Sequence, residues 1–132
     1  MNKNNINISK VETYLNKIFD NVISDNTFFT TLPNKESIPS SWKDMCLIEI
    51  PNGIDDMNAM GIGTVLVWLY ARPLGSGKKN VSVLSEMEVK LNEVLENASN
   101  ENYLLTRRDT YTSYDKDVDW HCNAVEIVVQ IF

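Results

Sequence analysis

The chain's single histidine and its two cysteines are the residues best suited to metal or nucleophilic chemistry. His121 and Cys122 are neighbours in a segment that alternates like a strand, and Cys46 lies far upstream. Adjacent strand side chains point to opposite faces, so His121 and Cys122 cannot converge on one ion or form a nucleophile–base pair. Cys46 and His121 could still meet across a sheet. Packed free thiols and a surface or interface histidine are the favoured interpretation.

The glycine-rich stretch 75–78 (Gly-Ser-Gly-Lys) follows an apolar run and precedes a helical pattern. Loops in that position can hold phosphate on backbone amides at a helix N-terminus. The phosphate-binding motif also needs a glycine where this chain has Arg72 and a hydroxyl residue where it has Lys79. The stretch is therefore interpreted as a flexible connector, and no nucleotide cofactor is predicted.

Aspartates at positions 115, 117 and 119 resemble the start of a calcium-binding loop. Trp120 stands where such a loop needs its glycine, and Glu126, at the position of the final ligand, falls within a strand pattern. A solvated hairpin turn is the favoured interpretation. The sequence thus predicts no catalytic residue, no cofactor and no metal site.

Composition indicates one soluble globular domain over residues 1–132. Hydrophobic residues make up 43% and charged residues 23%, which suffices for one core at this length. The net charge of −6 disfavours DNA as a general electrostatic target. The longest apolar run, residues 65–71, is far short of the roughly twenty residues that cross a bilayer, so no membrane contact is predicted. Residues 1–8 lack the apolar core of a signal peptide and are expected to form a flexible N-terminus.

Hydrophobic periodicity predicts an α+β fold. Strand 63–72 is apolar on both faces and is expected to be central in its sheet and covered on both sides. The order α-β-β-α-β-β and the adjacent strand pairs predict a mostly antiparallel four-stranded sheet with both helices on one face. The predicted helices cover residues 9–24 and 82–98; the predicted strands cover 45–50, 63–72, 103–114 and 120–132, with a turn at 51–53.

Residues 27–43 break this periodicity and are predicted to form a long, partly ordered loop with a short extended piece at 28–32. Pro33 and Pro39 mark irregular backbone, and Trp42 is one of several apolar anchors. Loops of this length in compact domains are usually functional or become ordered against a partner.

Aromatic and basic residues in this loop and along the last two strands are predicted to form a protein interface. Most aromatic residues on strands are expected in the core. Tyr111, Tyr114 and Trp120 lie at a strand end and are expected to be exposed, as aromatic residues at protein contacts often are. The predicted interface residues are Phe28, Phe29, Trp42, Arg107, Arg108, Tyr111, Tyr114 and Trp120.

The whole-chain layout resembles that of the tail-terminator and tail-completion proteins of tailed bacteriophages. The resemblance is carried by the amphipathic N-terminal helix, the strand 63–72 (Gly-Thr-Val-Leu-Val-Trp-Leu-Tyr-Ala-Arg), the helix 82–98 and the closing hairpin of 111–115 and 120–132. It implies a non-enzymatic virion subunit, made in the host cytoplasm, that forms a homo-oligomeric ring at the neck or tail. Such a ring would terminate the tail or join it to the head-side connector, with other neck and tail proteins as partners. Negative charge facing its lumen would let DNA pass without specific binding.

Two functions of other classes stay open. One is a small-ligand or partner-binding module of a bacterium or mobile element that uses the aromatic residues. The other is a hydrolase or transferase that uses Cys46 and His121. A ring measured by native mass spectrometry supports the phage ring subunit, whereas loss of an activity in Cys46→Ala and His121→Ala supports the enzyme.

Overall fold

The computed structural model describes residues 8–50 and 61–132. Residues 1–7 of the flexible N-terminus expected at 1–8, and the turn predicted at 51–53, lie outside these residues; Ile8 begins the first helix. A short 3-10 helix, Lys35–Ser37, lies in the connection between the first two strands. The helices are α1 (Ile8–Phe19) and α2 (Val81–Ala98); the strands are β1 (Thr27–Phe29), β2 (Asp44–Glu49), β3 (Ile62–Ala71), β4 (Tyr103–Asp115) and β5 (Trp120–Ile131).

The five strands form one mixed sheet in the order β1-β2-β3-β5-β4. β1 pairs parallel to β2, with Phe28 opposite Leu47, whereas the other neighbours pair antiparallel. The α+β class and the central position of β3 are confirmed. The prediction of four strands is wrong. The extended piece predicted at 28–32 overlaps β1, but three residues show too little alternation to indicate a fifth strand of the sheet. Its parallel pairing is possible because the connection 30–43 is long enough to cross the sheet and return.

One face of the sheet carries both helices, as predicted, and a continuous apolar cluster. α1 contributes Leu15 and Phe19, and α2 contributes Leu91; all three side chains are fully buried. They pack on alternate residues of the central strands, among them Val67 and Ile127. The three- and four-residue spacing of the helices and the two-residue spacing of the strands therefore meet in one core.

The helix ends differ from the predicted ends for local reasons. α1 stops at Phe19 instead of residue 24, because Asn21 adopts φ +55°, a left-handed conformation that ends a helix. Ile23 is nevertheless buried in the same core, so the apolar spacing continues beyond the helix. α2 begins at Val81 because the Asn80 side chain caps it, accepting a hydrogen bond from the Val83 amide at 3.3 Å.

The opposite face of the sheet is covered over part of its area by the loop 30–43. Side chains of β1 and this loop pack there on sheet residues, so β3 is covered on both faces at this end, as its apolar character predicts. The predicted loop is thus ordered against the chain's own sheet. The residues of this second cluster are Met45, Leu47, Tyr70, Val118, Trp120 and Cys122 from the sheet and its last turn, with Phe28, Leu32, Ile38, Trp42 and Trp68 packed against them.

Candidate protein-interaction surface

The predicted interface residues from the first half of the chain lie at the sheet edge formed by β1. Phe28 and Trp42 pack on the second face, with ring centroids 6.0 Å apart, while Phe29 packs on the helix side. All three side chains are half-buried. They hold the loop to the sheet, and their contact with another protein stays a prediction.

Arg72, the residue directly after β3, holds the loop 30–43 against the sheet through side-chain contacts. Its guanidinium donates from Nε to the Trp42 carbonyl at 2.7 Å and from Nη2 to the Pro39 carbonyl at 2.9 Å. The same group lies 4.7 Å from the centroid of the Trp120 ring. One cation therefore joins the loop and two strands through charge-assisted hydrogen bonds and a cation–π contact.

Trp120 is 3% exposed, so the expectation that it is an exposed contact residue is wrong. It follows a turn and begins β5, a position where aromatic residues are often exposed. Here the loop and Arg72 cover that end of the sheet. The apolar second face of β3 was the available signal that some segment had to lie over it.

A second set of side-chain contacts connects the loop to the turn between β4 and β5. Lys35 forms an ion pair with Asp119, and Tyr114 donates a hydrogen bond to Asp119 Oδ1 at 3.1 Å. The hydrogen bonds from Lys35 and Tyr114 lower the pKa of Asp119, and the hydrogen bond with Asp119 raises the pKa of Lys35. Tyr114 is exposed, as expected, and its ring meets His121 edge-on at 5.0 Å.

The rest of the second face is open in the described part of the chain. Tyr111 is 54% exposed and Leu104 is 41% exposed, and Arg108 pairs with Glu126 at 3.4 Å on the same surface. Strand alternation places their side chains on the face that Trp68 and Tyr70 share. We call this surface the open half-face; it consists of Leu66, Leu104, Arg108, Tyr111, Glu126 and Val128.

Arg107 belongs to the helix side and not to the open half-face. Its Nη2 atom lies 2.8 Å from Glu88 Oε1 and 2.8 Å from Thr110 Oγ1, and its Nη1 atom lies 2.9 Å from Asn92 Oδ1. These hydrogen bonds fix α2 to β4. The adjacent arginines therefore act on opposite faces, as neighbours in a strand must.

Sequence reasoning missed Arg72, Leu104, Glu126 and Val128 as parts of this region. The alternation of β5 is a signal that places Glu126 and Val128 together on one face. Arg72 continues the face of Trp68 and Tyr70 at the end of β3, which is a signal that the sequence contains. No pattern in the sequence indicates that the Arg72 side chain contacts a loop that is distant along the chain.

The two cysteines are free and buried on opposite faces of the sheet. Burial raises the pKa of the Cys46 thiol to about 12 and that of the Cys122 thiol to about 11. β3 separates Cys46 from His121, whose Nδ1 atom is buried without a hydrogen-bond partner. A thiol that stays protonated is a weak nucleophile, so this arrangement gives the Cys46–His121 enzyme no support.

A cleft of about 550 Å³ lies between the loop and the β4–β5 turn. Tyr70 lines it and donates a hydrogen bond from its hydroxyl to Asp115 Oδ2 at 2.8 Å. Burial, aided by this hydrogen bond, raises the pKa of Tyr70. Leu32, Pro33, Leu47 and Val118 form the apolar part of the lining, which also includes Lys35. The cleft could hold a small polar ligand.

Within residues 8–50 and 61–132, no three histidine, cysteine or acidic side chains come together as a metal site. The helices in the same part of the chain are too short or too polar to span a bilayer. Comparison with known proteins found no matching family model and no curated protein with significant sequence similarity.

Proposed function

We propose that the chain is a structural subunit of a tailed-phage neck or tail. It forms a homo-oligomeric ring that terminates the tail or joins it to the head-side connector, and it is located in the virion. The layout of two helices and a sheet supports this through the resemblance described above. The observation that carries the proposal is that the second face is only partly covered. The chain's own loop packs on one part of it, and the open half-face lies beside that part.

A closed ring requires two different surfaces that fit each other on successive subunits. Residues 34–41 form an outward ridge of the loop and are exposed except for Ile38. The open half-face lies beside this ridge on the same side of the sheet. A neighbour's ridge placed on the open half-face would cover Val128 and Tyr111 and would continue the cover that the loop begins. Predicted contacts of Phe28, Phe29 and Trp42 would then act indirectly, by shaping the ridge.

Native mass spectrometry of the full chain tests the ring. The wild type should give a closed oligomer of one defined size, alone or together with neck and tail proteins. Val128→Lys places a charge in the centre of the open half-face and should shift the protein to smaller species. Val22→Lys adds the same charge at an exposed position outside that face and should leave the ring unchanged. A wild type that stays smaller than a ring and never enters particles contradicts the proposal.

Passage of DNA without retention would follow from acidic residues on the lumen wall. Glu86, Glu93 and Glu96 are exposed on α2, and we assign them to that wall. An electron-microscopy reconstruction of the ring with α2 on its outer wall contradicts this assignment.

A ligand- or partner-binding module is the second candidate, and the cleft beside Tyr70 and Asp115 favours it. A small polar ligand there would shift the amide resonances of both residues in an NMR titration. Saturable shifts in a protein that forms no ring would favour this function over the ring.

A further inference from the structure

The outer edge of β4 is the longest free edge of the sheet that the structure describes. β4 is last in the strand order, so β5 pairs with one side of it and no described strand pairs with the other. It has 13 residues, and residues 108–114 are exposed. Edges of this length are normally protected by charges and bulges, and β4 has both, with a bulge between Arg107 and Thr110.

Exposed apolar side chains nevertheless concentrate on both sides of this edge. Arg107 ties α2 to β4 through Glu88. Val81 lies two turns before Glu88 on the same flank of the helix. Four of the eight large exposed hydrophobic residues among those described belong to this region: Val81, Leu104, Tyr111 and Tyr114. Such a concentration is typical of a protein contact.

The bulge decides how the edge can pair. It inserts an extra residue, so Thr106 and Tyr111 oppose Val128 and Ala124, which lie on one face of β5. Residues 106 and 111 therefore point to the same face although their numbers differ by an odd step. A second copy of β4 carries the same irregularity, so two β4 edges can pair antiparallel with the faces of both halves in phase and no residue left over.

We propose that this edge pairs with the β4 edge of a second copy of the chain about a two-fold axis between Arg108 and Asp109. Arg108 then lies opposite Asp109 of the second copy, and the symmetry creates this ion pair twice. Thr106 lies opposite Tyr111, and Tyr103 lies opposite Tyr114, so side chains of one face meet throughout the strand.

Neighbouring registers bring like charges together. Centring the pair on residue 108 places Arg108 opposite its own symmetry copy, and centring it on residue 109 does the same to Asp109. Like charges directly opposite each other destabilise a strand pair. The charges that protect β4 against other strands thus favour self-pairing in one register.

The inference does not rest on the proposed ring. A two-fold contact uses the same surface twice and closes as a dimer, whereas a ring requires a contact between unlike surfaces. If both contacts form, the assembly is two rings related by dihedral symmetry.

A charge exchange tests the pairing. Arg108→Asp and Asp109→Arg each create two like-charge pairs across the axis and should weaken the dimer about tenfold or more in sedimentation equilibrium. The double variant Arg108→Asp/Asp109→Arg restores opposite charges and should recover the wild-type affinity. It does not restore the contact of Arg108 with Glu126, so recovery identifies the contact between copies. Lys116→Asp, an exposed change in the β4–β5 turn, is the charge control and should leave the dimer unchanged.

Cross-linking tests the register. Thr106→Cys/Tyr111→Cys should give a disulfide-linked dimer under mild oxidation, because opposite residues bring their Cβ atoms within about 4.5–5.5 Å. Thr106→Cys alone should stay uncross-linked, since its symmetry copy lies several residues away. The native thiols are buried and should not compete.

The two proposals fail in different ways. A monomeric wild type, or a dimer with neither recovery in the double variant nor the cross-link, overturns the pairing whether or not a ring forms. A dimer that shows both properties but forms no ring supports the pairing and contradicts the ring.

Discussion

The two faces of the sheet are covered in different ways. The helix face is covered by regular elements whose side chains, such as Leu15 and Leu91, are completely buried. The second face is covered by β1 and the irregular loop 30–43. Phe28 of β1 and Trp42 of the loop are only half-buried, and Arg72 holds the loop in position. The first face therefore supplies most of the burial that stabilises the fold, and the second leaves surface for contact with other molecules.

The largest effect should come from the helix face. Leu91→Ala removes a fully buried side chain of α2 and should lower the free energy of unfolding by about 2–5 kcal/mol. Glu93→Ala, on the exposed side of the same helix, should change it by about 0.5 kcal/mol or less. Urea unfolding measures both. Equal losses would show that the helix face is not the main core.

A smaller effect should come from removing the Arg72 contacts that hold the loop 30–43 against the sheet. Arg72→Ala removes two hydrogen bonds to carbonyl groups and the contact with Trp120, and should cost about 1–3 kcal/mol. Residues 38–43 should also become sensitive to limited proteolysis while the helices stay protected. Lys116→Ala is the matched control, because it removes a basic side chain that is exposed at the same end of the sheet. Resistance of the loop in Arg72→Ala would show that other contacts hold it.

The cysteines report on the two faces separately. Their raised pKa values leave little thiolate at pH 8, so labelling by a thiol reagent requires opening of the structure. Cys122, under the loop, should react faster than Cys46, by about tenfold for each 1.4 kcal/mol of difference in opening free energy. Arg72→Ala should accelerate Cys122 alone, with Cys46→Ala and Cys122→Ala variants separating the two rates. Equal rates would mean that both faces open together.

The smallest effect should come from the contact of Asp119 with Lys35 and Tyr114. The pKa of Asp119 is lowered on folding, so its stabilising contribution is present above its unfolded pKa near 3.8 and is lost as the pH falls through the folded value. Asp119→Asn keeps a residue that tolerates the positive φ of this position, +58°. The urea midpoints of the wild type and Asp119→Asn should differ slightly at pH 7 and converge near pH 2. A constant difference would assign the effect to the backbone.

Hydrophobic periodicity was sufficient to predict the helices and four of the strands, because their buried residues recur at a fixed spacing along the chain. The double apolar face of β3 also predicted cover on both sides, which the loop provides on the second face. The extended piece predicted at 28–32 overlaps β1, but its place in the sheet was not predicted, because its pairing depends on a distant strand and not on its own three residues. Trp120 was misplaced for the same reason, since its burial comes from a loop far away in sequence.

The candidate surface was predicted less well than the fold. Tyr111 and Tyr114 are exposed, as was predicted from their position at a strand end. Strand alternation could have predicted that Arg107 and Arg108 lie on opposite faces of the sheet. The bulge between Arg107 and Thr110 could not be predicted, because an inserted residue leaves no periodic signal.

The unequal length of the two outer strands limits how far this sheet can extend. After β4 has been used for one pairing, the outermost described strand at each end is β1, which offers three residues as a template. The bulge in β4 adds local twist, which works against the flat stacking that fibrils need. Once two β4 edges pair as proposed, the described strands therefore leave no long edge on which further chains could add.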